Sequence, residues 1–175
     1  MKKNFIIMAV LAAVCLMSCK KEMTNPLLIE SGHRYEAPAF DKITEEHYIP
    51  AFEAAIAEGK KEIAAIVENP EAPTFENTIL ALEYAGGTLN KVAGIFYNIN
   101  EANTSDRMQE IAEQISPMMT EYSLSIMLNG DLFKRVKAVY DQMETLNLDV
   151  EEAKLLKETY KSFADNGANL SDEEK

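Results

Sequence analysis

Few residues in this chain have types and spacing that suit chemistry. The two histidines, His33 and His47, stand fourteen positions apart. A zinc pair on a helix needs histidines one turn apart, so this spacing fits no metal. Glu46-His47 sets the acid before the imidazole, the reverse of a His-Glu-x-x-His helix, and no second histidine follows within a turn. His47 therefore reads as structural or solvent-facing, and His33 as exposed. Cys15 and Cys19 both fall at the start of the chain, which leaves thiol catalysis unsupported. Glu45-Glu46 and Glu151-Glu152 lie near expected helix starts, where complementing the helix dipole accounts for them. An acid–base dyad would need a cleft to hold it. Neither Gly-x-x-x-x-Gly-Lys nor Gly-x-Gly-x-x-Gly occurs, so nucleotide binding has no support. Lys134, Arg135 and Lys137 form a small basic cluster, read as one solvated helix face. The formal charge of −12 argues against nucleic acid as a partner. No catalytic and no metal-ligating residue is assigned.

The first residues have the pattern of an export signal. Lys2 and Lys3 make a positive start, and Phe5 to Val14 is an apolar run too short for a comfortable membrane span. Leu16-Met17-Ser18-Cys19 follows, and it resembles a bacterial lipobox. That motif implies cleavage before Cys19 and a lipid on its sulfur, with residues 1–18 as the signal peptide. Cleavage removes Lys2, Lys3 and Cys15, which makes the remainder two charges more negative and leaves no partner for a disulfide. The expected location is the bacterial cell envelope, on its periplasmic or its surface face. The anchor attaches the chain to a membrane without spanning it.

The elements that would position any site are helical. Residues 19–40 read as a lipid-anchored tether, broken by Pro26, Gly32 and Pro38. Within it, Asn25-Pro26-Leu27-Leu28 is either a patch that docks on the body or plain linker. A first helix is expected from roughly Thr44 to Glu68, with Ile49, Phe52, Ile56, Ile63 and Ile66 on one face. Pro50 implies that it begins late or is kinked, and Gly59 costs about 1 kcal/mol relative to alanine. Asn69-Pro70 ends it. A second, organising helix is expected from Thr74 to about Asn100. Its apolar or small seam is Phe75, Ile79, Leu82, Gly86, Leu89, Ala93 and Phe96, and the other helices should pack on it. Gly86-Gly87 marks either a close approach or a local kink.

A third helical region begins near Ser105, with Pro117 expected to kink it and Asn129-Gly130 interrupting the pattern. Apolar residues resume at Leu132 and run to Leu146. A fourth helix starts at Asp149, with Glu152 in capping-box spacing, and stops at Asn166-Gly167. Ser171 and Glu174 repeat the capping-box spacing at the end of the chain. This implies a helix that continues further, so the chain is expected to be the N-terminal portion of something longer; a frayed acidic tail is the alternative. No period-two strand is found. The fold class is all-α, with residues 41–175 as one helical segment.

A family resemblance rests on particular wording. Ile43-Thr44-Glu45-Glu46-His47-Tyr48-Ile49-Pro50-Ala51-Phe52-Glu53 is followed by Asn69-Pro70 and by Pro73-Thr74-Phe75-Glu76-Asn77-Thr78-Ile79. Then come Asn129, Leu132-Phe133, Arg135-Val136 and Gly167-Ala168. In this order they resemble the N-terminal region of the M3 zinc metallopeptidases, in the branch of the peptidyl-dipeptidases and oligopeptidase A. The resemblance covers about residues 25 to 175. It implies a longer, almost wholly helical protein around a channel that admits short peptides. It also implies a catalytic zinc held by two histidines of a His-Glu-x-x-His helix and a downstream glutamate, with the motif's own glutamate as general base. None of those positions occurs in this chain. By resemblance this segment is part of the channel's wall and cap, inactive alone, with the C-terminal catalytic portion absent. A free-standing lipid-anchored helical module that binds peptide or a protein partner is the other expectation. An isolated cap segment should expose the apolar seam.

Overall fold

The computed structural model describes residues 24–168. The signal residues 1–18, Cys19 and the pair Ser171 and Glu174 lie outside the described residues. Six helices account for most of the rest, and among the described residues no strand occurs. They are α1 (Tyr48–Val67), α2 (residues 75–84), α3 (Gly87–Ala102), α4 (Asp106–Met127), α5 (Gly130–Tyr140) and α6 (Val150–Asp165). The all-α class follows directly. Among the described residues no helix is long and apolar enough to cross a membrane.

Helices α2, α4, α5 and α6 start where a side chain satisfies their first amides, and the turn before α1 is capped in the same way. The Thr44 backbone N–H donates to Nδ1 of His47 at 2.9 Å, closing a capping box on the short 3-10 turn Glu45–His47. That turn feeds α1, so Pro50 sits in the first turn of α1, where its missing N–H has no intrahelical partner to lose. Thr74 accepts from the Asn77 amide at 3.1 Å while Asn77 Oδ1 accepts from the Thr74 amide at 2.8 Å. Ser105 accepts from the Met108 amide at 3.0 Å, and Asn129 Oδ1 from the Leu132 amide at 2.9 Å. The Asp149–Glu152 box is reciprocal, both bonds measuring 2.9 Å. At the far end of α6, Gly167 takes φ +82°, and the Ala168 amide donates to the Phe163 carbonyl at 3.0 Å.

The helix expected from Thr74 to Asn100 is two elements. Residues Phe75–Leu80 wind as a π-helix and Ala81–Tyr84 as an α-helix; the chain then breaks. Ala85 is extended (ψ 139°) and Gly86 is left-handed (φ +78°), a conformation that disfavours residues with a Cβ. The break divides the seam. Phe75 and Ile79 enter one core, with Leu132, Val136, Leu156 and Phe163. Leu89 and Phe96 enter another, with Phe52, Ile111 and Ile115. Helix α1 spans both: Phe52 and Ile56 belong to the Phe96 core, Ile63 and Ile66 to the Phe75 core. It packs against α2, α3, α4 and α5, so α1 is the organising helix, not the seam helix.

Two further expectations meet observations here. Helix α4 runs through Pro117 without interruption. Of the seam, Phe75, Ile79, Gly86, Leu89 and Phe96 are buried within the described residues, and Leu82 and Ala93 are half-buried. The alternatives at Asn25–Leu28 also resolve. Leu27 is fully buried in the Phe96 core, and Asn25 Nδ2 donates to the His47 carbonyl at 2.7 Å.

Candidate functional site

Two grooves flank the second half of α1. One, of about 370 Å³, runs between α1 and α2. Its floor is small (Ala65, Ala81, Ala85), and Glu62, Asn69, Asn77 and Tyr84 stand around it. The other, of about 360 Å³, lies between α1 and α4. Ile63, Val67, Tyr122 and Ile126 make it apolar, with Lys60 and Glu68 at its rim.

A junction of two glycines separates the grooves. Oε2 of Glu62 accepts the Gly86 amide at 2.7 Å and so holds the break between α2 and α3. Tyr122 packs its hydroxyl on Gly59, where a Cβ would lie 2.9 Å from the ring carbon Cζ; the hydroxyl stands 3.3 Å from a Cβ position at Gly86. Burial pushes the Tyr122 phenol above its ordinary pKa, and the nearby Glu62 carboxylate adds to the effect. The phenol stays protonated at neutral pH as an uncharged wedge between α1 and α4.

The loop that enters α2 is held from a distance. Arg135 on α5 donates to the carbonyls of Asn69 at 3.0 Å and Glu71 at 3.3 Å, and to Asn77 Oδ1 at 3.4 Å. Its Nε is buried with no partner in the structure. The basic cluster is therefore not one solvated face. Lys134 pairs with Asp131 at 2.8 Å and Lys137 with Asp141 at 2.7 Å on the surface, while Arg135 clamps a loop 66 residues away in sequence. The side chain at Arg135 is directed at the loop's unpaired carbonyls, which sequence spacing cannot reveal.

The histidines and paired acids are not brought together. The ring of His47 is engaged in capping, and His33 is exposed in the segment before α1. Glu45 accepts from the Ser105 hydroxyl at 2.6 Å and ties the start of α1 to that of α4. The Thr44 hydroxyl beside Glu46 lowers that exposed carboxyl's pKa. Glu152 is spent on its capping box. Among the described residues no group of three or more His, Cys, Asp or Glu is placed to hold a metal ion. The α1–α2 groove is lined by a carboxylate, two side-chain amides and a phenol ring, of which Glu62 and Asn77 already accept the Gly86 and Thr74 amides.

No family model matches the chain. Comparison with curated proteins is decisive instead. The dipeptidyl carboxypeptidase of Escherichia coli K12 is 42% identical over 151 residues, covering 86% of this chain and 22% of the relative. The dipeptidyl carboxypeptidase of Salmonella typhimurium LT2 is 42% identical over 152 residues, with 87% and 22% covered. Oligopeptidase A of E. coli K12 is 26% identical over 151 residues.

The match is to the N-terminal region of M3 family peptidases.

The chain spans about a fifth of the length of these curated relatives. The matched region supplies helices, caps and two grooves. Three of its working residues escape sequence reading: Glu62, Tyr122 and Arg135. Each acts on a partner at least 24 positions away, so no local motif marks it. Gly59 and Gly86-Gly87 were the only local signals of the junction.

Proposed function

We propose that this chain is the N-terminal portion of a zinc-dependent oligopeptidase or peptidyl-dipeptidase that hydrolyses short peptides. It contributes wall to the peptide channel and no catalytic group. The observation that carries this reading is 42% identity to dipeptidyl carboxypeptidase across most of the chain. The zinc and its ligands belong to the part of such an enzyme beyond the matched fifth, and short peptides are the substrates of the whole. The lipobox-like Leu16-Met17-Ser18-Cys19 supports a lipid on Cys19 that holds the protein to the bacterial envelope.

The chain from Cys19 to Lys175, purified alone, is expected to hold far less than one zinc per molecule and to release no dipeptides from short peptides. Metal analysis and mass spectrometry of the digests check both. Zinc-dependent cleavage by this chain alone would overturn the proposal.

A second reading has one observation in its favour. The large seam residues Phe75, Ile79, Leu89 and Phe96 are buried among the described residues, which supports a free-standing lipid-anchored helical module that binds peptide or a partner. Peptide binding without cleavage, by a product of the calculated mass, would favour that module.

A further inference from the structure

The segment between Thr24 and Lys42 is pinned inward at intervals. Asn25 bonds the His47 carbonyl, Leu27 is fully buried and Ala39 is 4% exposed. The Lys91 ammonium, on α3, donates to the Ile29 carbonyl at 3.1 Å. Between these pins large apolar side chains point outward: Ile29 is 44% exposed, Tyr35 85% and Phe40 54%. Tyr35 also has φ +59°, a region a bulky residue rarely occupies and that costs about 1–3 kcal/mol. Arg34 lies 4.7 Å over its ring. Folding alone gives no reason to hold a strained tyrosine in water.

The tether sets what this face can meet. Only six residue steps separate Cys19 from Asn25, so a lipid on Cys19 holds Asn25 within about 20 Å of its attachment point even at full extension. The pinned strap is the first surface in reach of the bilayer. Its charge suits that place. Glu30, Glu36 and Asp41 nearly balance Arg34 and Lys42, while the chain as a whole carries −12. Tyrosine, phenylalanine and arginine are residue types that settle at the boundary of headgroups and acyl chains.

We propose that the strap face presenting Ile29, Tyr35 and Phe40 is a membrane-contact surface that lies in the interface of the bilayer carrying the Cys19 lipid. The proposal rests on the anchored reading above. It adds an orientation: the body lies with its strap against the membrane and is not suspended away from it.

The chain has no tryptophan, and from Cys19 onward it has one thiol. Phe40→Trp therefore gives a single reporter, and Cys19 can be coupled to a maleimide phospholipid in phosphatidylcholine vesicles. Val150→Trp is the control, at an 86% exposed site on α6. The Phe40→Trp emission is expected to shift to the blue and to be quenched by brominated lipids severalfold more than that of Val150→Trp. Adding Ile29→Ser and Tyr35→Ser should remove most of that difference. Equal quenching at the two positions, or none at either, overturns the membrane face. Fatty-acid labelling in cells, and its loss in Cys19→Ser, tests the anchor separately. Labelling without Phe40→Trp quenching sinks the face and leaves the anchor standing. Quenching without labelling sinks the anchor and supports the face.

Discussion

Phe96→Ala is expected to remove about 3–5 kcal/mol of folding stability. Phe96 is fully buried and lies edge-on to three rings, with centroids 5.0 Å away for Tyr48, 5.7 Å for Phe52 and 5.2 Å for Tyr97. Truncation forfeits the transfer energy of the ring, leaves a cavity that rigid aromatic neighbours cannot fill, and breaks edge-to-face contacts worth about 0.5–1.5 kcal/mol each. A domain of this size has only about 5–15 kcal/mol to lose. Urea unfolding followed by circular dichroism reads the effect. Leu128→Ala, at a 51% exposed position, should change stability by less than about 0.5 kcal/mol. Equal shifts in the two variants would mean that the α1–α3 core is not built around Phe96.

The second large effect is a reversal of sign between two glycines. Gly94 lies in α3 with open space around its Cβ position, so Gly94→Ala should gain up to about 1 kcal/mol from helix propensity. Gly59 lies in α1 against the Tyr122 hydroxyl. The same propensity gain applies there, but the added methyl must displace a ring that is 8% exposed and wedged between two glycine positions. Overpacking of that kind costs about 1–3 kcal/mol, so Gly59→Ala should be destabilising on balance. Tyr122→Phe removes the closest atom but leaves the ring carbon 2.9 Å from the new Cβ, so the double variant should recover part of the loss, a coupling of about 1 kcal/mol. Thermal melts of the four proteins check this. A Gly59→Ala protein as stable as Gly94→Ala would contradict the packing of Tyr122 on α1.

What could be read from the sequence was local. The caps at Thr74, Ser105, Asp149 and Gly167 are visible because a cap joins residues two or three apart, and the chain order contains that information. The division of the 74–100 stretch was hidden by a coincidence of register. Leu82, Gly86 and Leu89 keep the four–three spacing across a break, so periodicity continues where the helix does not. Gly86 gave a signal without a meaning, because a glycine's φ is decided by its neighbours in space, and here these are Glu62 and Tyr122. Arg135 was misread for the same reason. Its cluster with Lys134 and Lys137 is local, but its hydrogen bonds are not. The resemblance to peptidases was legible in the wording of runs such as Pro73–Ile79 and not in chemistry, since no residue of the chain was assigned a catalytic step.

The claim that this chain is the non-catalytic first part of a peptidase is tested most directly by the mass of its native product. An antibody raised to residues 41–175 would be used on extracts of the source cells. The account predicts a band several times heavier than the 19.6 kDa of this chain, in a fraction that releases dipeptides from short peptides and loses that activity to a chelator. A single band near 19.6 kDa would contradict it, and would leave the helical binding module in its place.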